Sequence, residues 1–217
     1  MGIFSFKKKQ PARFINPNQV TFVIGAPDSE YELICRTSKL LGLDEYEKSP
    51  EVERINYELF KYLKIDLSAM HLFPENWEKN ELLAPIKEQI KDFAFKEFVK
   101  GKRILIASSN LSRTANLWAE VLSSCGIEPS FVVCFNKPYD NFLPWLTYNI
   151  EAEKNTRGLM RSFVHIPDFM DNWRKSMRRI SSDLEYSWGN WLSTTREQEV
   201  EEKIGRASCR ERVSSPV

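Results

Sequence analysis

The chain alternates short, fully apolar runs with amphipathic stretches, and that alternation constrains its fold more than any other feature. Val20-Thr21-Phe22-Val23-Ile24 is β-branched and aromatic and stops at Gly25. Arg103-Ile104-Leu105-Ile106-Ala107, Ser130-Phe131-Val132-Val133-Cys134-Phe135 and Ser162-Phe163-Val164-His165-Ile166 repeat the pattern. Runs of this length, bounded by turn residues, read as strands buried on both faces. Between them the apolar positions recur at helical spacing. The spacing predicts helices over 29–41, closed by Gly42, and over 51–63. Further helices are predicted over 82–98 with Pro85 in the first turn, over 114–124 closed by Gly126, over 140–155 and over 169–184. Strands that alternate with helices predict an α/β fold of three layers, a mainly parallel sheet flanked by helices, with right-handed crossovers.

In such sheets ligands bind beyond the carboxyl ends of the strands. That rule nominates three turns: Gly25-Ala26-Pro27-Asp28-Ser29, Ser108-Ser109-Asn110 and Asn136-Lys137-Pro138. Each also reads as an ordinary turn in which Ser, Asp or Asn caps the next helix.

Composition sets the boundaries of the functional reading. The 217 residues suit one domain, and 42% hydrophobic residues suffice to close its core. A net charge of +1 gives no basic field for nucleic acid. No apolar run approaches the roughly 20 residues of a membrane helix, so no transmembrane segment is expected. The N-terminus lacks a secretion signal, because Ile3, Phe4 and Phe6 precede Lys7-Lys8-Lys9, and a cytoplasmic location is the expectation. Cys35, Cys125, Cys134 and Cys209 show no metal-ligand spacing, and His71 and His165 stand far apart, so no metal site is expected.

Residues 1–17 read as a flexible segment and 18–203 as the domain. Ile204 to Val213, IGRASCRERV, is what ATC GGA AGA GCG TCG TGT AGG GAA AGA GTG encodes, a DNA like a common sequencing adapter. Residues 204–217 are therefore expected to be an assembly artefact that cuts the domain short.

The order of landmarks along 18–190 resembles bacterial sulfotransferases that use 3′-phosphoadenosine 5′-phosphosulfate (PAPS). Gly25 and Leu41-Gly42 keep the spacing of that family's first loop and helix. Asn56-Tyr57-Glu58-Leu59 matches an N-E-L-like helix start, and Leu72, Phe73, Pro74 and Trp77 match a Leu-Phe-Pro…Trp loop. Trp118 and Gly126-Ile127 precede the third strand, and Asn136-Lys137-Pro138 stands where the family has R-N-P. Trp145, Tyr148 and Asn149, then Asp168, Trp173 and Arg174, complete the set.

The resemblance implies a P-loop-type, sulfotransferase-like fold. It further implies transfer of a sulfuryl group from PAPS to a hydroxyl or amine of a carbohydrate or related metabolite. The partner would be a small-molecule or glycan acceptor, with no nucleic acid.

Carried over residue by residue, the donor site departs from the family. In its R-S-G-T stretch only Ser29 matches; Asp28 replaces Arg, Glu30 replaces Gly and Tyr31 replaces Thr. Asn136 and Pro144 occupy the positions of the Arg and Ser that hold the 3′-phosphate, and K-D-P-R has become Ala107-Ser108-Ser109-Asn110. Lys137, one residue displaced, and Arg113 are the nearby cations; each also reads as a solvated surface charge. The candidate donor-site residues are Ser29, Ser109, Asn110, Arg113, Asn136 and Lys137. Trp77 is kept for an acceptor site, and no general base is singled out. Like charges at contact in a partly desolvated site repel by on the order of several kcal/mol. A second reading is therefore a degenerate member that keeps the fold for binding or scaffolding in a surface-glycan pathway.

Overall fold

A computed structural model describes residues 20–43, 45–47, 50–65, 71–98, 103–138, 142–186 and 197–205. The strands are β1 (Val20–Gly25), β2 (Glu45–Glu47), β3 (Ile104–Ala107), β4 (Ser130–Phe135) and β5 (Arg161–His165). They form one sheet in the order β2-β3-β1-β4-β5. Every pairing is parallel, with Val20 opposite Ile104, Gly25 opposite Cys134 and Phe135 opposite His165. The four expected strands are neighbours, so the turns after Gly25, Ala107 and Phe135 share the carboxyl edge. The strand unforeseen in the sequence is β2. Its Glu-Tyr-Glu has no apolar run because it is a three-residue edge strand, where charge is tolerated and protective.

The helices are α1 (Glu32–Leu41), α2 (Pro50–Tyr62), α3 (Ala84–Glu97), α4 (Leu111–Ser124), α5 (Phe142–Asn155), α6 (Ile166–Asp171), α7 (Trp173–Asp183) and α8 (197–205). Gly42, at φ 70°, ends α1, with its N–H on Lys39 O and Leu43 N–H on Ser38 O. Pro85 sits in the first turn of α3. The helix expected over 169–184 is instead two. Asn172 leaves helical geometry at φ −145°, ψ 74°, and its side chain caps α7 by accepting from Lys175 N.

Alternating side chains of β1 feed two cores. Val20, Phe22 and Ile24 pack with α2, α3 and α4; Val23 packs with α1, α6, α7 and α8. Among the described residues no helix is long and apolar enough to cross a membrane. The expected flexible segment 1–17 and residues 206–217 lie outside the described residues. Ile204, the first residue of the supposed artefact, is buried in the second core together with Val200.

Candidate functional site at the carboxyl edge of the sheet

The turn after β1 is closed tightly enough to exclude a side chain at its first residue. A Cβ on Gly25 would stand 2.6 Å from Ser29 Oγ and 2.7 Å from the Cys134 carbonyl. Ser29 folds back over that glycine, its N–H on Ala26 O at 3.1 Å, and its buried Oγ has no hydrogen-bond partner. Asp28 (φ 64°) and Glu30 (φ 53°) both adopt left-handed backbone, a conformation that favours glycine. From α4, Ser112 Oγ donates to Gly25 O at 3.1 Å.

Beside this turn and the start of α1 lies a cavity of about 610 Å³. Asp28, Glu30 and Glu32 bring three carboxylates to its lining, with Tyr31, Arg36, Ser109 and Lys203. Arg36 is already paired with Glu32 at 2.8 Å. Tyr31 crosses from α1 to the turn after β3, where its phenol oxygen accepts from Ser109 N at 3.1 Å. Burial pushes the Tyr31 phenol up to about 12, with Glu32 and Glu53 adding to the effect against the Ser109 hydrogen bond. The phenol therefore stays neutral across the physiological range.

The second turn leads into a polar network. Asn110 Nδ2 donates to Glu53 Oε2 at 2.8 Å, and Tyr148 OH donates to Asn110 Oδ1 at 3.4 Å. Burial raises the Tyr148 phenol as well, partly offset by the charge of Arg113. Arg113 itself is 0% exposed. Its Nε reaches Glu151 Oε2 at 2.5 Å, its Nη2 the carbonyl of His71 at 2.5 Å, and its guanidinium lies 4.6 Å from the Phe73 ring. The reading of Arg113 as a solvated cation is thus corrected: it is the centre of a buried ion pair. At the third turn Asn136 is buried, its Oδ1 accepts from Lys137 N, and its carbonyl accepts from Trp145 Nε1 at 2.6 Å. Lys137 is exposed.

No family model and no curated protein sequence matches the chain. Among solved structures, it is similar to the sulfotransferase domain from the curacin biosynthetic pathway, with a TM-score of 0.43 and 10% identity over 80% of this chain and 76% of that one. The site is therefore read from its own geometry.

That geometry brings Ser109 to the cavity lining, with Asn110 one residue on, and buries Ser29 beneath the turn after β1, outside that lining. It leaves Asn136 and Lys137 at the end of β4, outside the lining of that cavity, and spends Arg113 on Glu151. Trp77, expected to be available to an acceptor, is 8% exposed and packs edge-on against Phe73 at 4.8 Å. Three residues went unremarked in the sequence: Glu53, Glu151 and Asn155. A signal for two of them was present, since Thr147, Glu151 and Asn155 recur every fourth position of α5 and all are buried. That polar stripe faces α4, where Asn155 Nδ2 donates to the carbonyls of Ser112 and Arg113. Among the described residues no group of His, Cys, Asp or Glu could hold a metal ion.

Proposed function

We propose that this chain is a sulfotransferase-like protein that works by binding rather than by sulfuryl transfer, as a component of surface-glycan metabolism. One observation carries the reading: Asp28 and Glu30 line the cavity at the start of α1. PAPS presents phosphate and sulfate groups, and such anions need backbone N–H groups, a helix N-terminus and a facing cation. The side chains present do not fit it. Three carboxylates outnumber the two cations of the lining, of which Arg36 is paired with Glu32 and leaves Lys203 against Asp28 and Glu30; the phenol of Tyr31 spans to Ser109, and Arg113 is committed to Glu151. The motif order supports descent from the transferases, and a small-molecule or glycan ligand would be the inherited class of partner.

Calorimetric titration with PAPS and its product nucleotide tests this. The parent chain should show no saturable binding at micromolar concentration. The variant Asp28→Arg, Glu30→Gly, Tyr31→Thr, Asn136→Arg, Pro144→Ser should gain at least about a hundredfold in affinity, because it removes two like-charge contacts and adds two attractive ones. Micromolar binding by the parent would return the chain to the PAPS-dependent enzymes, with Lys137 and backbone N–H groups as compensating ligands. A folded variant that gains nothing would confine the resemblance to the fold.

A further inference from the structure

A second cavity, of about 790 Å³, lies between the end of α2 and the loop that precedes α3. None of its lining residues belongs to the turn after β1, so it is separate from the acidic cavity. Its wall is apolar: Leu63, Ile65, Leu72, Phe73, Pro74 and Trp77. Leu72 is 53% exposed, an unusual outlay of apolar surface at an opening. Lys64 and Lys79, both exposed, stand on its rim, and no Asp or Glu is among the described residues that line it. Lys79 Nζ is held by Asn76 Oδ1 at 2.8 Å. Glu75 and Glu78 fall on the other side of the Phe73–Trp77 wall, around a smaller cavity of about 290 Å³.

The wall is also firmly set. Glu151 Oε1 accepts from Phe73 N at 2.7 Å, and Arg113 Nη2 donates to His71 O, so the loop is fastened to α4 and α5 from behind. A pre-formed, mainly apolar cleft of several hundred Å³ with a few polar groups is the usual form of a small-molecule site. Lys64 follows α2 and Lys79 ends a short 3-10 turn, places where a cation also suits the dipole, but that preference does not explain two cations on one apolar rim that carries no carboxylate among its described residues.

The geometry points to a binding site for an amphipathic monoanion, a medium-chain carboxylate whose chain lies on Phe73 and Trp77 and whose head meets Lys64 and Lys79. The carboxylate stays at the rim, where it keeps part of its hydration, and the chain leaves water.

Titration with decanoate, decanol and decylamine below their micelle concentrations tests the assignment. Decanoate should bind saturably and tighter than both. Each methylene from octanoate to decanoate should tighten binding about fourfold. Lys64→Gln with Lys79→Gln, both at exposed positions, should weaken decanoate about threefold to tenfold and leave decanol unchanged. The indole N–H signal of Trp77, assigned by its loss in Trp77→Phe, should shift on binding. Equal or tighter binding of decylamine, an unchanged decanoate affinity in the lysine variant, or absence of saturable binding would each overturn the site. Nucleotide binding reads the turn after β1, so neither experiment decides the other.

Discussion

Arg113 shows how far one side chain can depart from what its place in the sequence suggests. Two residues beyond the start of α4, it looks available to a ligand at the sheet edge; in the fold it points between α4 and α5. Pairing with Glu151 makes its burial tolerable, and the same carboxylate takes the N–H of Phe73. The guanidinium Nη1 has no hydrogen-bond partner, so the pair is not fully compensated. Removing one partner leaves the other charge buried alone. Arg113→Ala or Glu151→Ala should each lower stability by about 3–5 kcal/mol, whereas replacing both with Met and Leu should cost far less. Urea denaturation checks this. If either single variant is as stable as the double replacement, the ion pair does not hold the 71–77 loop as described.

At the scale of the element, β1, its turn and α1 are shaped by backbone as much as by side chains. Non-glycine residues in left-handed geometry cost about 1–2 kcal/mol, and both Asp28 and Glu30 carry that cost. An acid at a helix start returns only about 0.3–1 kcal/mol. Glu30→Gly relieves the strain, loses the carboxylate and loosens the unfolded chain, and these changes nearly cancel. Glu30→Ala loses the carboxylate and keeps the strain. The glycine variant should therefore be about 1 kcal/mol more stable than the alanine variant by thermal denaturation. Equal stabilities would contradict the left-handed backbone at this position. The split between α6 and α7 teaches a related lesson. The apolar period of 169–184 runs through Asn172, where non-helical backbone breaks the helix and the side chain caps α7 by accepting from Lys175 N.

For the whole molecule, the sheet is closed by two cores, and the second is completed by α8. Val200 and Ile204 pack there with Trp173, Met177 and Ile180, while Arg174 reaches Glu197 at 2.9 Å and Glu201 at 3.0 Å. The proposal that 204–217 is an adapter-derived tail meets this core at one residue. Ending the chain after Gly205 should leave the melting temperature unchanged. Ending it after Lys203 removes the buried Ile204 side chain, worth about 1.5–3 kcal/mol if α8 keeps its place. A large loss on deleting 206–217 alone would argue that the tail packs and is native.

Four of the five strands among the described residues, their parallel arrangement and the common edge of the three turns were legible in the sequence. Burial on both faces demands continuous apolar runs, and helical crossovers demand a 3.6-residue period. The acidic character of the turn after β1 was equally legible, because Asp28 and Glu30 flank Ser29 in the chain. Side-chain destinations across elements were not. Tyr31 meets Ser109, Arg113 meets Glu151, and Trp77 turns inward with its neighbour Phe73 into the core that α2, α3 and α4 build from distant parts of the chain. Periodicity tells which face of a helix is buried; which partner waits on that face depends on how the layers dock, and that is a property of the assembled fold alone.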